Sequence, residues 1–312
     1  MGFTPTEKIW FNGSLVPWHD AKVHVLAHGL HYGTGVFEGM RSYQTADGAA
    51  VFRLDAHLER FFQSASMYEI AIPYSLAQLA EATLDVVRVN KLENAYLRPI
   101  AFFDVSTLSV WTKECPVSVA IAGFPSGAYL QGGLENGVRV TVASIRKFPS
   151  NAMPAIGKAC GQYINSVRAV QEAQRRGFDE AILLNQRGQV SEGSGENVFL
   201  VKGGTITTND AEADILMGVT RSTILELARD LSIPTRVRPL TVDDLTNADE
   251  VFFSGTAVEV TPVREIDGKP IGDGKPGPIT KRVQQTFFEA ARGQRAEYRR
   301  WLAYANQAVA RM

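Results

Sequence analysis

Cysteine is nearly missing from this sequence: Cys115 and Cys160 are the only two in 312 residues, far apart and in no Cys-x-x-Cys. That removes a disulfide framework and fits a reducing, cytoplasmic setting. An excess of either charge is missing too. The 32 basic residues face 33 acidic ones, which argues against nucleic acid or an anionic membrane as the main partner. No apolar run approaches the roughly 20 residues of a membrane span, and no repeat recurs at solenoid periods. The opening MGFTPTEKIWFNG lacks the basic-then-apolar order of a secretory signal. These absences leave a soluble globular protein as the expectation.

What is present is ample for two cores: 45% of residues are hydrophobic and 21% charged. Strands and helices mix without a strict β-α-β rhythm, so the expected fold class is α+β. The chain divides into a smaller N-terminal α/β domain over 1–125, a turn-rich interdomain loop over 126–136 and a larger domain over 137–312. KIWFNGSLVPW reads as a hairpin turning at Asn12-Gly13. Leu58, Phe61, Phe62 and Ala65 form the buried stripe of a helix that Asp55 could cap; Arg60 lies off that stripe, toward solvent. A second helix, near 76–90, carries Leu79, Leu84 and Val87. Arg98 interrupts an apolar strand, where it needs an anion or a carboxylate partner. His24, His28 and His31 fall at helical spacing, which admits a zinc site and a hydrolase, although Gly29, Gly33 and Gly35 make a long helix poor there. The last segment, EYRRWLAYANQAVARM, reads as helical.

Lys158 stands out among Ala155, Ile156, Gly157, Ala159 and Cys160. A lysine among apolar neighbours tends toward the neutral amine, the form that condenses with an aldehyde; the alternative is a surface lysine with its stem over those neighbours. The following helix has Tyr163, Ile164, Val167 and Val170 on its apolar face and Gly177 as its stop. Gly218-Val219-Thr220 opens a further helix whose free amides suit an anion, or merely a cap. Ser254-Gly255-Thr256-Ala257 is a second small-residue turn with the same two readings. Glu192 sits in the turn SEGSGEN. Together an amine for an aldehyde, two cradles for phosphate and carboxylate, and an acid for a pyridine nitrogen describe pyridoxal 5′-phosphate (PLP) chemistry.

The run from Glu192 through Asn197-Val198-Phe199, Ile206-x-Thr208 and Gly218-Val219-Thr220-Arg221 resembles the signature of class IV aminotransferases. YGTGVFEGMRSY, YLRP, GKACGQY and SGTAVEVTPV are similar to the branched-chain aminotransferases of that class, and the motifs follow in order along nearly the whole chain. The resemblance implies a two-domain fold-type IV PLP enzyme, like D-amino-acid aminotransferase in architecture, with the cofactor between its domains. It would be a homodimer or a homohexamer built as a trimer of dimers. Lys158 would hold PLP, Glu192 would pair with the pyridine nitrogen and Tyr163 with the phenolic oxygen. Arg60, Val219, Thr220 and Thr256 would bind phosphate, which contradicts the solvent-facing reading of Arg60. Tyr96, Thr256 and Ala257, helped by Arg41, would receive the substrate α-carboxylate. Phe37, Tyr129 and Tyr32, the last from a neighbouring subunit, would line the side-chain pocket, and Arg98 would take the distal carboxylate of glutamate.

The implied reaction exchanges amino groups between L-leucine, L-isoleucine or L-valine and 2-oxoglutarate. D-amino-acid and (R)-amine transaminases of the same fold are the alternatives. Two departures bear on specificity: Ser126 stands where members often carry tryptophan, and DVSTLSVWTKECP (104–116), an expected active-site loop, matches the family poorly.

Overall fold

The computed structural model describes residues 4–127, Leu130 and 132–307. They form two compact units. Unit 1 takes the chain up to Gly127, the short segment Gly157–Gln162 and the chain from Glu289 onward; unit 2 takes 128–156 and 163–288. This division differs from the continuous one read from the sequence. Strand Leu302–Tyr304 pairs with Gly48–Phe52, which ties the tail to unit 1. The tail is not one helix: a 3-10 turn, Ala296–Trp301, leads into that strand.

Unit 1 is an antiparallel sheet in the order Leu302–Tyr304, Gly48–Phe52, Met40–Thr45, Ala95–Phe103, Val117–Pro125, Lys8–Phe11, Ser14–Pro17, with Gly35–Phe37 also paired to Ala95–Phe103. The hairpin between Lys8–Phe11 and Ser14–Pro17 turns where expected, Asn12 and Gly13 taking φ of 47° and 92°. Helices Leu54–Met67 and Leu76–Val89 supply Leu58, Phe61 and Ala65, and Leu79, Leu84 and Val87, to the core. Asp55 is not the cap: Arg53, with φ of 54°, occupies that position, and Asp55 lies in the first turn.

Unit 2 holds a mixed sheet in the order Val190–Gly193, Glu180–Leu184, Val138–Val142, Glu259–Ile266, Glu250–Gly255, Asn197–Lys202, Thr205–Thr208, Thr235–Val237. Val138–Val142 runs parallel to both of its neighbours. Helix Val219–Asp230 buries Ile224, Leu227 and Ala228. Helix Tyr163–Arg175 does not follow its apolar stripe. Ile164 and Val167 are 69% and 52% exposed, while Ser166, Ala169 and Ala173 are buried. Small side chains on that inner face let the helix lie close to Ala181 and Leu183 of the sheet.

Candidate active site

The Lys158 segment lies along the edge of strand Gly35–Phe37 within unit 1. Ala159 bridges Val36, the Phe37 amide donates to the Lys158 carbonyl at 3.0 Å, and the Lys158 amide donates to Ser64 Oγ at 3.0 Å. Glycines permit the approach: a Cβ on Gly33, itself at φ of 66°, would stand 2.7 Å from Gly161 Cα. The Lys158 amine lies 4.8 Å from the centre of the Phe37 ring. The residue keeps some exposure, yet burial of the amine pulls its pKa down to about 8, against the opposing charge of Glu38.

Beneath it is a buried charge cluster. Glu38 is fully enclosed; Arg60 donates to it from Nε and Nη2 at 2.6 and 2.9 Å, and His57 Nδ1 is 2.8 Å away. Burial pushes the Glu38 pKa up, but Arg60 and His57 outweigh it and hold the carboxyl well below the usual range. Burial lowers the pKa of His57, against the hydrogen bond to Glu38. Arg60 is thus buried, and the solvent-facing expectation is corrected. His57 and Arg60 stand three apart on one helix face, a spacing that could have signalled a shared anion.

Arg98, Tyr96 and Arg41 line the same unit. Arg98 is exposed, donates to the Tyr96 hydroxyl at 3.2 Å and lies 4.7 Å over Phe37. Among the described residues it pairs with no carboxylate, contrary to the salt bridge considered for it. Tyr96 stacks on Phe124, and a Cβ on Gly39 would overlap its hydroxyl. Arg41 donates from Nη2 to Ser126 Oγ at 3.1 Å and to the Gly127 carbonyl at 2.6 Å. Tyr129 lies outside the described residues.

In unit 2 three turns gather at one end of the sheet. Asn197 pairs in register with Ser254, so the SEGSGEN turn adjoins Gly255, and Thr256 and Ala257 follow. Asn197 Nδ2 donates to the Leu216 carbonyl at 2.8 Å, and a Cβ on Gly218 would collide with Asn197 Oδ1. Helix Val219–Asp230 therefore starts beside that turn, with no side-chain N-cap and with Val219 and Thr220 buried. Its first amides and dipole favour an anion. Among the described residues the buried Ser254 Oγ has no hydrogen-bond partner. Glu192 is buried, accepting from Lys147 Nζ at 2.6 Å on Oε1 and from the Leu216 amide at 2.9 Å on Oε2. Lys147 went unnoticed in the sequence, where nothing local links positions so far apart. Tyr163, half-buried, opens its helix.

The sequence matches the family described as Amino-transferase class IV over residues 35–266. The chain belongs to the class IV aminotransferases. Full-length relatives agree. The branched-chain-amino-acid aminotransferase of Pseudomonas aeruginosa is 44% identical over 94% of this chain and 95% of its own. That of Escherichia coli K12 is 44% identical over 96% and 97%. Among solved structures, the Escherichia coli branched-chain amino acid aminotransferase has a TM-score of 0.95 at 44% identity, covering 96% of this chain and 100% of its own. The T.th. branched-chain amino acid aminotransferase with pyridoxamine 5′-phosphate has 0.94 at 44% identity, covering 96% and 99%. The same T.th. enzyme is also solved in complex with N-(5′-phosphopyridoxyl)-L-glutamate. The fold class is α+β of fold type IV.

The donor set of this class IV chain fits PLP. It has one amine depressed to about 8 for an aldehyde, an uncapped helix start for a phosphate and an enclosed carboxylate for a ring N–H. The three histidines do not form a zinc site. His24 Nδ1 accepts from the Leu26 amide, His28 bonds Thr34 and the Ser109 carbonyl, and His31 bonds the Val25 carbonyl. Among the described residues no His, Cys, Asp and Glu cluster has metal-ligand geometry.

Proposed function

We propose that the chain catalyses PLP-dependent transamination between L-leucine, L-isoleucine or L-valine and 2-oxoglutarate, yielding branched-chain 2-oxo acids and L-glutamate. The observation that carries this is the depressed amine of Lys158, at the expected position in a chain so close to relatives of that name. PLP, when bound, supplies an aldehyde carbon that takes up an amine and a pyridinium ring that draws electrons from substrate Cα. Lys158 Nζ holds the cofactor and, once released, moves the proton at substrate Cα.

The other roles divide by chemistry. Arg60, Val219, Thr220 and Thr256 hold the phosphate, Tyr163 the phenolic oxygen and Glu192 the pyridine nitrogen. Glu38 fixes the plane of the Arg60 guanidinium through its two contacts. Tyr96, Thr256 and Ala257, with Arg41, bind the α-carboxylate. Phe37, Tyr32 and Tyr129 line the side-chain pocket. Arg98, with its face on Phe37 and an exposed edge, takes the distal carboxylate of glutamate, so one pocket accepts both an apolar and an anionic side chain. The chain self-associates as a dimer or a trimer of dimers, and its two free cysteines suit a cytoplasmic setting.

The test is turnover of L-leucine and 2-oxoglutarate by the PLP-loaded protein, read as L-glutamate formed, beside Lys158→Ala. We expect turnover by the parent and loss of multiple turnover in the variant. Turnover with D-alanine but not with L-leucine would overturn the substrate assignment, and sustained turnover by Lys158→Ala would overturn the role of the lysine.

A further inference from the structure

We propose that Lys147 is a positioning residue for Glu192, fixing the carboxylate that meets the ring nitrogen; this rests on the assignment of Glu192 made above. The Lys147 backbone is pinned beside strand Glu180–Leu184: its amide donates to the Leu184 carbonyl at 2.8 Å and its carbonyl accepts from Gln186 Nε2 at 2.8 Å. From there the side chain runs inward. Only 8% of each side chain of the pair is exposed, and Nζ stands 2.6 Å from Glu192 Oε1 and 4.5 Å from the centre of the Phe148 ring.

A buried ammonium is costly, and packing alone would be served as well by an apolar residue of similar length. Its position does something packing cannot. Lys147 takes one carboxylate oxygen and the Leu216 amide takes the other. Rotation of the Glu192 carboxylate breaks both bonds at once, so its plane is set before any ligand arrives. A carboxylate has about four acceptor sites, so these two donors leave capacity for a ring N–H in a direction they define. Without the ammonium, the carboxylate loses the donor that holds Oε1 and keeps only the Leu216 amide on Oε2, about which it can turn. A carboxylate turned out of that plane then meets the ring N–H off line, and the charge-assisted bond is weakened or lost.

The experiment compares PLP with its analogue in which a CH replaces the ring nitrogen. Dissociation constants are measured by fluorescence titration of the full chain stripped of cofactor, for the parent, Lys147→Met, Lys147→Arg and Glu192→Gln. The parent should prefer PLP over the analogue. Lys147→Met should lose roughly tenfold of that preference, the worth of one charge-assisted hydrogen bond, and Lys147→Arg should retain most of it. Equal weakening toward both ligands, or an unchanged ratio, would mean that Lys147 only supports the fold, and the proposal fails. Should Lys147→Met not fold, Lys147→Gln, which keeps a donor without the charge, carries the same comparison. Glu192→Gln separates the two levels. If it leaves the ratio unchanged, the assignment of Glu192 itself is wrong. If it collapses the ratio while Lys147→Met does not, the role of Lys147 alone is refuted.

Discussion

At the scale of single residues the chemistry depends on how much of Lys158 is neutral. With a pKa of about 8, roughly a tenth of the amine is free at pH 7, against well under a thousandth for an ordinary lysine. Burial causes the shift and Glu38 partly opposes it, so the carboxylate restrains the amine from falling further. The folded value lies below the unfolded one, so the unfolded chain binds more protons between about pH 8 and the ordinary lysine value. The cofactor-free protein should therefore gain stability as pH rises through that window. We predict that labelling of Lys158 in the cofactor-free protein by an amine-directed reagent titrates with a midpoint near 8. Glu38→Gln should lower that midpoint. A parent midpoint near 10 would show that the amine is solvated, and removing Glu38 would then matter little.

Among the elements, the start of helix Val219–Asp230 depends on a glycine. A methyl on Gly218 would collide with Asn197 Oδ1, and that side chain is itself tied to the Leu216 carbonyl, so the clash moves the first turn rather than the asparagine. Gly218→Ala should weaken PLP and pyridoxamine phosphate alike, by roughly tenfold, because the phosphate they share is the group proposed to meet those amides. A loss confined to PLP would point away from the phosphate. This glycine and Thr220 were legible in the sequence because a helix start is a local event. The face of helix Tyr163–Arg175 was not. Its apolar stripe holds Ile164 and Val167, but close packing on Ala181 and Leu183 selects the small side Ser166, Ala169 and Ala173, and hydrophobicity alone does not report distance to a sheet. Arg60 shows the same limit: whether a charge off the stripe meets solvent depends on Glu38, which lies on a different segment.

For the whole molecule, unit 1 carries a group of exposed apolar side chains. Val25, Leu30, Val110 and Trp111 are 65%, 66%, 82% and 68% exposed. Their segments are joined: Tyr32 donates to the Leu108 carbonyl at 2.6 Å, His28 bonds the Ser109 carbonyl, and His31 bonds the Val25 carbonyl. Two of the three histidines that invited a zinc site, His28 and His31, instead staple the 104–116 loop and the preceding turn to one short helix, His28–Tyr32. We propose this tied cluster of exposed apolar side chains as the face on which a second copy seats. A formal charge of −1 sets little repulsion between copies. A second copy seated there would cover Leu30 and Trp111 and bring Tyr32, 46% exposed, against its partner. We predict that the parent sediments as two or six copies and that Leu30→Asp with Trp111→Ser shifts it toward the single chain. Turnover should fall with the loss of the partner, even though neither residue is assigned to the cofactor or the substrate. A parent that sediments as one chain while retaining full activity would refute this. An assembly that survives both substitutions would mean that the copies meet elsewhere, with the exposed Ile164 and Val167 face as the next surface to substitute.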